Sequence, residues 1–320
     1  MQEENAKYCD QCGEKLNNIE EKSPFDFING CIIKESVLYK YIGKEETVIV
    51  PDCVSVIGES AFAYSKVSAV KLPNSITKIE KEAFSHTEIT EIQLPDTITE
   101  IEDGAFRYCK KIKRIKLPIN IKKVSARTFC DCSSLEEAYL PECLEEIGDG
   151  AFDSCEKLKC ISLPNGLKKI GDSAFDTCIS LKSMTLPHGI TEICDDAFSY
   201  CVSLKEINLP STLEYIGSGA FEWCEKLTEI TIPEKITEIG FSVFEGCKSL
   251  KSVVIPKNVT KVSHFAFENC EVLAEISLPS TLEVVDLSAF RGCKALKEIT
   301  VPKKCIVLDM RNPHIKVKKV

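Results

Sequence analysis

Tyr8-Cys9-Asp10-Gln11-Cys12-Gly13 is the stretch of this 320-residue chain best equipped for chemistry. Two thiolates separated by two residues, with a glycine allowing the sharp turn, form a knuckle that can grip one tetrahedral zinc ion. A structural zinc site takes four protein ligands, and Cys31, the next thiol, has no partner at ligand spacing. Zinc at Cys9 and Cys12 therefore requires another chain or a further segment to complete the set. A degenerate knuckle and a redox pair are the alternatives. The redox pair would call for a βαβ context, which is absent.

The chain carries 18 cysteines, and nine of them recur every 23 residues: Cys109, Cys132, Cys155, Cys178, Cys201, Cys224, Cys247, Cys270 and Cys293. Such a row could be a string of metal ligands, a disulfide ladder, or a column of small hydrophobic side chains. In-register side chains run parallel rather than toward one another, and nine is odd, so the core reading is preferred. The catalytic motifs are missing. His86, His188, His264 and His314 share no repeat position, and no G-x-S-x-G, P-loop or H-E-x-x-H occurs. Gly148-Asp-Gly150 and Gly217-Ser-Gly219 read as turns, and no catalytic residue is expected.

The prolines reveal what must position these side chains. Twelve of the 14 fall on a grid from Pro51 to Pro302, spaced 22 residues twice and then 23 nine times. A phenylalanine follows each of the first eleven by 11 residues, from Phe62 to Phe290, and the cysteine row lies 14 after the proline. The two shorter units carry Ser65 and Thr87 in the cysteine slot. In the unit Pro187–Leu209, the alternation Lys-Glu-Ile-Asn-Leu reads as a short strand that Pro210 stops. A second extended stretch follows at Ile190–Ile193, and the Ala-Phe pair opens a tight turn or short helical segment. One such unit cannot bury its seven apolar side chains alone, but a stack can, which makes the chain a solenoid.

The unit resembles the leucine-rich repeats of the BspA-like family, roughly LPxxhxxIxxxAFxxCxxLxxhxh. The resemblance spans residues 51–302 as eleven repeats. It implies a leucine-rich repeat right-handed superhelix of mainly short strands with terminal caps, and a protein-binding role. A non-catalytic interaction scaffold is therefore expected, with a cell-surface adhesin of the BspA-like type and a zinc-dependent regulatory module acting through the knuckle as alternatives. Residues 23–50 resemble the hairpin that begins such arrays, covering an edge that would otherwise invite aggregation. Residues 303–320 lack the repeat marks and read as the opposite cap. Residues 1–22, with Glu14-Lys15-Leu16 after the knuckle, resemble half of a zinc ribbon.

Net charge is −9, from 40 basic and 49 acidic residues, which argues against nucleic acid as partner. No apolar run reaches the ~18 residues of a membrane helix. Many thiols without an even framework suit a reducing compartment, and the N-terminus shows neither a basic start nor an apolar stretch, so a cytoplasmic location is expected, with the cell surface as alternative. If the strands line one face, side chains two and four before each proline point outward. Among them Arg114, Lys116, Glu137 and Tyr139 form a mixed patch containing Arg and Tyr, types enriched at binding hot spots. An unidentified protein partner is expected there.

Overall fold

The computed structural model describes residues 25–308 and 314–320. Cys9 and Cys12 lie outside the described residues.

Each repeat turns through three sides. The first is a three-residue strand just before the proline. In Arg114–Lys116 and Glu137–Tyr139 the central Ile115 and Ala138 are buried while Arg114, Lys116 and Tyr139 are exposed. These strands pair in parallel one repeat apart, Arg114 with Glu137, Ile115 with Ala138 and Lys116 with Tyr139. Proline then ends the strand, having no N–H for the ladder and a fixed φ. The second side is a two-residue strand, repeated without interruption at Lys123–Val124, Glu146–Ile147, Lys169–Ile170, Glu192–Ile193 and Tyr215–Ile216.

The third side carries the Ala-Phe pair, and here the structure decides between turn and helix. Turns run through every repeat, and among the described residues only Leu287–Phe290 forms a short 3-10 helix. Along this edge, successive N–H groups alternate in direction. Glu82, Phe84 and His86 donate to the next repeat's Asp103, Ala105 and Arg107 carbonyls. Ser85 and Thr87 close local turns onto Glu82 and Phe84. The alternation needs left-handed backbone two residues before and two after most of the phenylalanines, as at Glu82 (φ 54°) and His86 (φ 58°). The Phe N–H links continue from Phe62 to Ala83 through to Phe267 and Ala289, while hydrogen bonding on both strand faces comes in segments. The turn edge is the continuous spine.

Inside, the eleven phenylalanines stack with ring centroids 5.1–5.9 Å apart and planes within 17° of parallel. All are at most 1% exposed. Tyr41 extends the column at its start, 5.3 Å from Phe62.

The nine cysteines form the adjoining column, and every one is a free thiol. Each Sγ donates to the phenylalanine carbonyl of the preceding repeat, from Cys109 on Phe84 at 3.1 Å to Cys293 on Phe267 at 3.1 Å. That carbonyl also accepts the N–H of its own repeat's cysteine, as Phe106 does from Cys109. In the short second unit Thr87 stands in the cysteine slot, but its Oγ1 donates to the carbonyl of its own repeat's Phe84, at 2.8 Å, rather than to that of the preceding repeat. Burial pushes the thiols up, Cys109 to about 11 and Cys293 to about 12, so they stay protonated as donors.

At the start, β1 (Asp26–Ile28), β2 (Cys31–Lys34) and β3 (Val37–Tyr41) form an antiparallel meander, and β3 pairs in parallel with Val56–Ile57 of the second face. β4 (Thr47–Ile49) begins the first face. At the other end Ile306–Leu308 joins the second face and Lys316–Lys319 the first.

One rung departs from the expected pattern. The stretch before Pro233, residues 229–232, is not a strand, and Tyr215–Ile216 does not pair with Glu238–Ile239. Upstream, Asp149, Asp172 and Asp195 each accept the N–H one repeat on, at Asp172, Asp195 and Ser218. The next two residues in that series are Ser218 and Phe241, and the chain of carboxylate links ends there.

Candidate protein-binding surface

The alternating pleat of the first face projects Arg114, Lys116, Glu137 and Tyr139 from two neighbouring strands, and the structure brings all four together. Arg114 Nε lies 3.4 Å from Glu137 Oε2, and the Tyr139 hydroxyl donates to the same oxygen at 2.6 Å. Glu137 thus holds an arginine and a tyrosine in one arrangement, while Lys116 stands in register with Tyr139. Its hydrogen bond and negative charge raise the Tyr139 pKa, so the ring keeps its proton. Tyr139 is 54% exposed and the Arg114 side chain 73%. The ring borders a hollow of about 390 Å³ floored by Ala138 and Ile161 and walled by Leu140, Leu163 and Cys160.

This combination suits recognition rather than catalysis. A planar guanidinium and a phenol are fixed beside a shallow, partly apolar depression, where they lose little side-chain freedom on contact. Elsewhere the sheet faces are dominated by cross-rung Lys–Glu pairs, such as Lys123–Glu146 at 2.9 Å and Lys261–Glu238 at 2.7 Å. Exposed pairs of this kind are worth ~0–1 kcal/mol. Among the described residues no three His, Cys, Asp or Glu side chains are grouped to hold a metal ion.

Residues 32–159, 145–272 and 215–311 match the family model described as BspA type leucine rich repeat region. The chain belongs to the BspA-type leucine-rich repeat family. No curated protein matches it by sequence. Several solved structures superpose over almost the whole chain. A leucine-rich repeat protein from Bacteroides ovatus has TM-score 0.66 and 23% identity, covering 93% of this chain and 91% of that one. A protein from Faecalibacterium prausnitzii described as a leucine rich cell surface protein has TM-score 0.52 and 25% identity, covering 92% and 93%. The pneumococcal vaccine antigen PcpA has TM-score 0.58 and 18% identity, covering 92% and 98%. No helix of the described residues is long and apolar enough to cross a membrane.

A second set of side chains, exposed or half-buried, escaped the sequence reading. Two residues after the repeat phenylalanine, Tyr64, His86 and Tyr108 stack at 4.4 and 4.2 Å, and Tyr200 stacks on Trp223 at 6.2 Å. Considering His86 only against the other histidines hid its place in a row of tyrosines. Aligning the units on phenylalanine exposes that row, with the chain's one tryptophan in it.

Proposed function

We propose that this BspA-type protein is a non-catalytic interaction scaffold that docks a protein partner on its first strand face, with Arg114 and Tyr139 as anchors. The observation that carries this reading is the shared Glu137 carboxylate, which preorganises both side chains beside the hollow. Lys116 and Glu137 complete the patch as its polar border. The test is quantitative capture of partners by the intact chain and by the Arg114→Ala/Tyr139→Ala variant. Partners lost from the variant support the reading, and an unchanged set removes it.

The abundance of free thiols favours work in a reducing compartment, the cytoplasm. A surface adhesin is the second reading, favoured by likeness to the F. prausnitzii protein described as cell surface. Cell fractionation separates the two: recovery outside the cell establishes the adhesin reading.

A further inference from the structure

The turn edge presents a partly exposed aromatic stack surrounded by carboxylates. Tyr200, 46% exposed, stacks on Trp223, and Trp223 lies flat across Gly246, where any Cβ would meet the indole at 2.7 Å. Around the two rings stand Asp176, Asp196, Glu222 and Glu245, all half-buried, with Asp153 one repeat upstream. None of these five carboxylates makes an ion pair among the described residues, in contrast to the Lys–Glu pairs of the strand faces. Burial, reinforced by their mutual charge, raises the pKa of Glu222 and pushes Asp176 up to about 6.

The same edge shows what such a setting accepts. Residues one past the repeat phenylalanine run Arg107, Cys130, Asp153, Asp176, Ser199, Glu222, Glu245, Glu268, Arg291. At the far end the chain supplies its own guanidinium. Arg291 lies 5.2 Å over the Phe265 ring and pairs with Glu268 through Nε at 2.6 Å. At the near end Arg107 lies 4.7 Å over Tyr108. Trp223 has one ammonium over it, Lys248 at 5.1 Å, already paired with Glu225. Between Asp153 and Glu245 the edge keeps the aromatic rings and carboxylates but offers no guanidinium of its own.

We infer that the Tyr200–Trp223 edge, from Asp153 to Glu245, is a docking surface for an arginine-rich segment of a protein partner. Guanidinium groups would lie against Tyr200 and pair with Asp176, Asp196 and Glu222, reproducing the contacts Arg291 makes within the chain. The inference rests on the reading of the chain as an interaction scaffold but uses another surface.

Trp223 is the one tryptophan, so its intrinsic fluorescence reports on this edge directly. The experiment titrates the full chain with a synthetic peptide alternating arginine and glycine, following Trp223 emission. Saturable change is expected, with affinity about tenfold weaker in Asp176→Asn/Asp196→Asn/Glu222→Gln and severalfold weaker in Tyr200→Ala. Glu206→Gln/Glu229→Gln/Glu275→Gln, which removes the same charge from the strand face, should weaken binding less than about twofold. Equal weakening in the two triple variants reduces the effect to net charge and overturns the inference, as does silence of Trp223. Calcium chloride alone reproducing the emission change and displacing the peptide would make the edge a cation site and also overturn it. The carboxylate substitutions relieve repulsion, so these variants should melt no lower than wild type, and Tyr200→Ala supplies an independent reading. Failure of the strand-face reading shows instead in partner capture by Arg114→Ala/Tyr139→Ala, so the two fail separately.

Discussion

The interior columns and the exposed rows of this solenoid are set by one period but obey opposite rules. Phenylalanine occupies its column eleven times in succession and cysteine its own nine times, whereas the row two before each proline passes through Ile49, Lys71, Gln93, Lys116, Tyr139 and Ser162. Each interior residue has the same two neighbours, one repeat before and one after, so any other side chain there disturbs both contacts. An exposed residue meets mainly water and one cross-rung partner, and its identity is free to serve recognition. Repetition in this fold marks stability, and departures from repetition mark candidate function.

The comparison breaks most visibly at the phenylalanine column. Phe198→Ala removes a fully buried ring stacked on both Phe175 and Phe221, and chemical denaturation should record a loss of about 3–5 kcal/mol. A loss below about 0.5 kcal/mol would put the ring at the surface. Next in size is Cys201→Ser, at about 1 kcal/mol, the low end for a buried hydroxyl. Phe175 O, which accepts the Cys201 thiol at 3.2 Å, remains available to the serine hydroxyl.

Asp176→Asn sharpens the comparison from the half-buried turn edge. Burial, reinforced by Asp153 and Asp196, pushes the Asp176 carboxyl from 3.8 up to about 6. A carboxyl with a raised folded pKa favours the fold while protonated, and that contribution disappears as pH rises from about 4 through about 6. The wild-type chain should therefore gain stability relative to Asp176→Asn as pH falls through this window. The gain should be far below the roughly 3 kcal/mol of an undiscounted two-unit shift, because solvent screens a group this exposed. Thermal melts of both proteins from pH 4 to pH 7 read the difference. The smallest effect belongs to Arg114→Ala/Tyr139→Ala, whose unfolding free energy should stay within about 0.5 kcal/mol of wild type. A larger loss would make the patch structural rather than a surface for partners.

How far the sequence discloses all this follows the same division. Proline, phenylalanine and cysteine rows were legible because a fixed period places identical residues in identical surroundings. Ser65 and Thr87 in the cysteine slot hinted at an acceptor for the thiols, although neither reaches the preceding repeat's carbonyl: Thr87 bonds its own repeat's Phe84, and the Ser65 hydroxyl is buried without a partner. Arg114, Lys116, Glu137 and Tyr139 could be assigned to one face by strand alternation, but the Glu137 oxygen shared by Arg114 and Tyr139 depends on side-chain rotamers that no pattern encodes. The interruption at residues 229–232 was hidden because its repeat keeps the apolar pattern intact. What changes is the acceptor slot, where Ser218 and then Phe241 replace the carboxylates by which Asp149, Asp172 and Asp195 carry the links between rungs. The alternating left-handed turns were equally hidden, since residues as different as Arg127, Asp131 and Trp223 adopt positive φ there.

The division between interior and surface is tested most directly by counting thiols that alkylate in the native protein, by peptide mass spectrometry without reductant. Cys53, Cys143 and Cys160 are exposed and should label quickly, while the nine cysteines from Cys109 to Cys293 stay unlabelled until denaturant is added and then all react. Native labelling within the row, or a pair of row cysteines that stays unreactive in denaturant until a reductant is added, would contradict a column of free, buried thiols hydrogen-bonded to phenylalanine carbonyls.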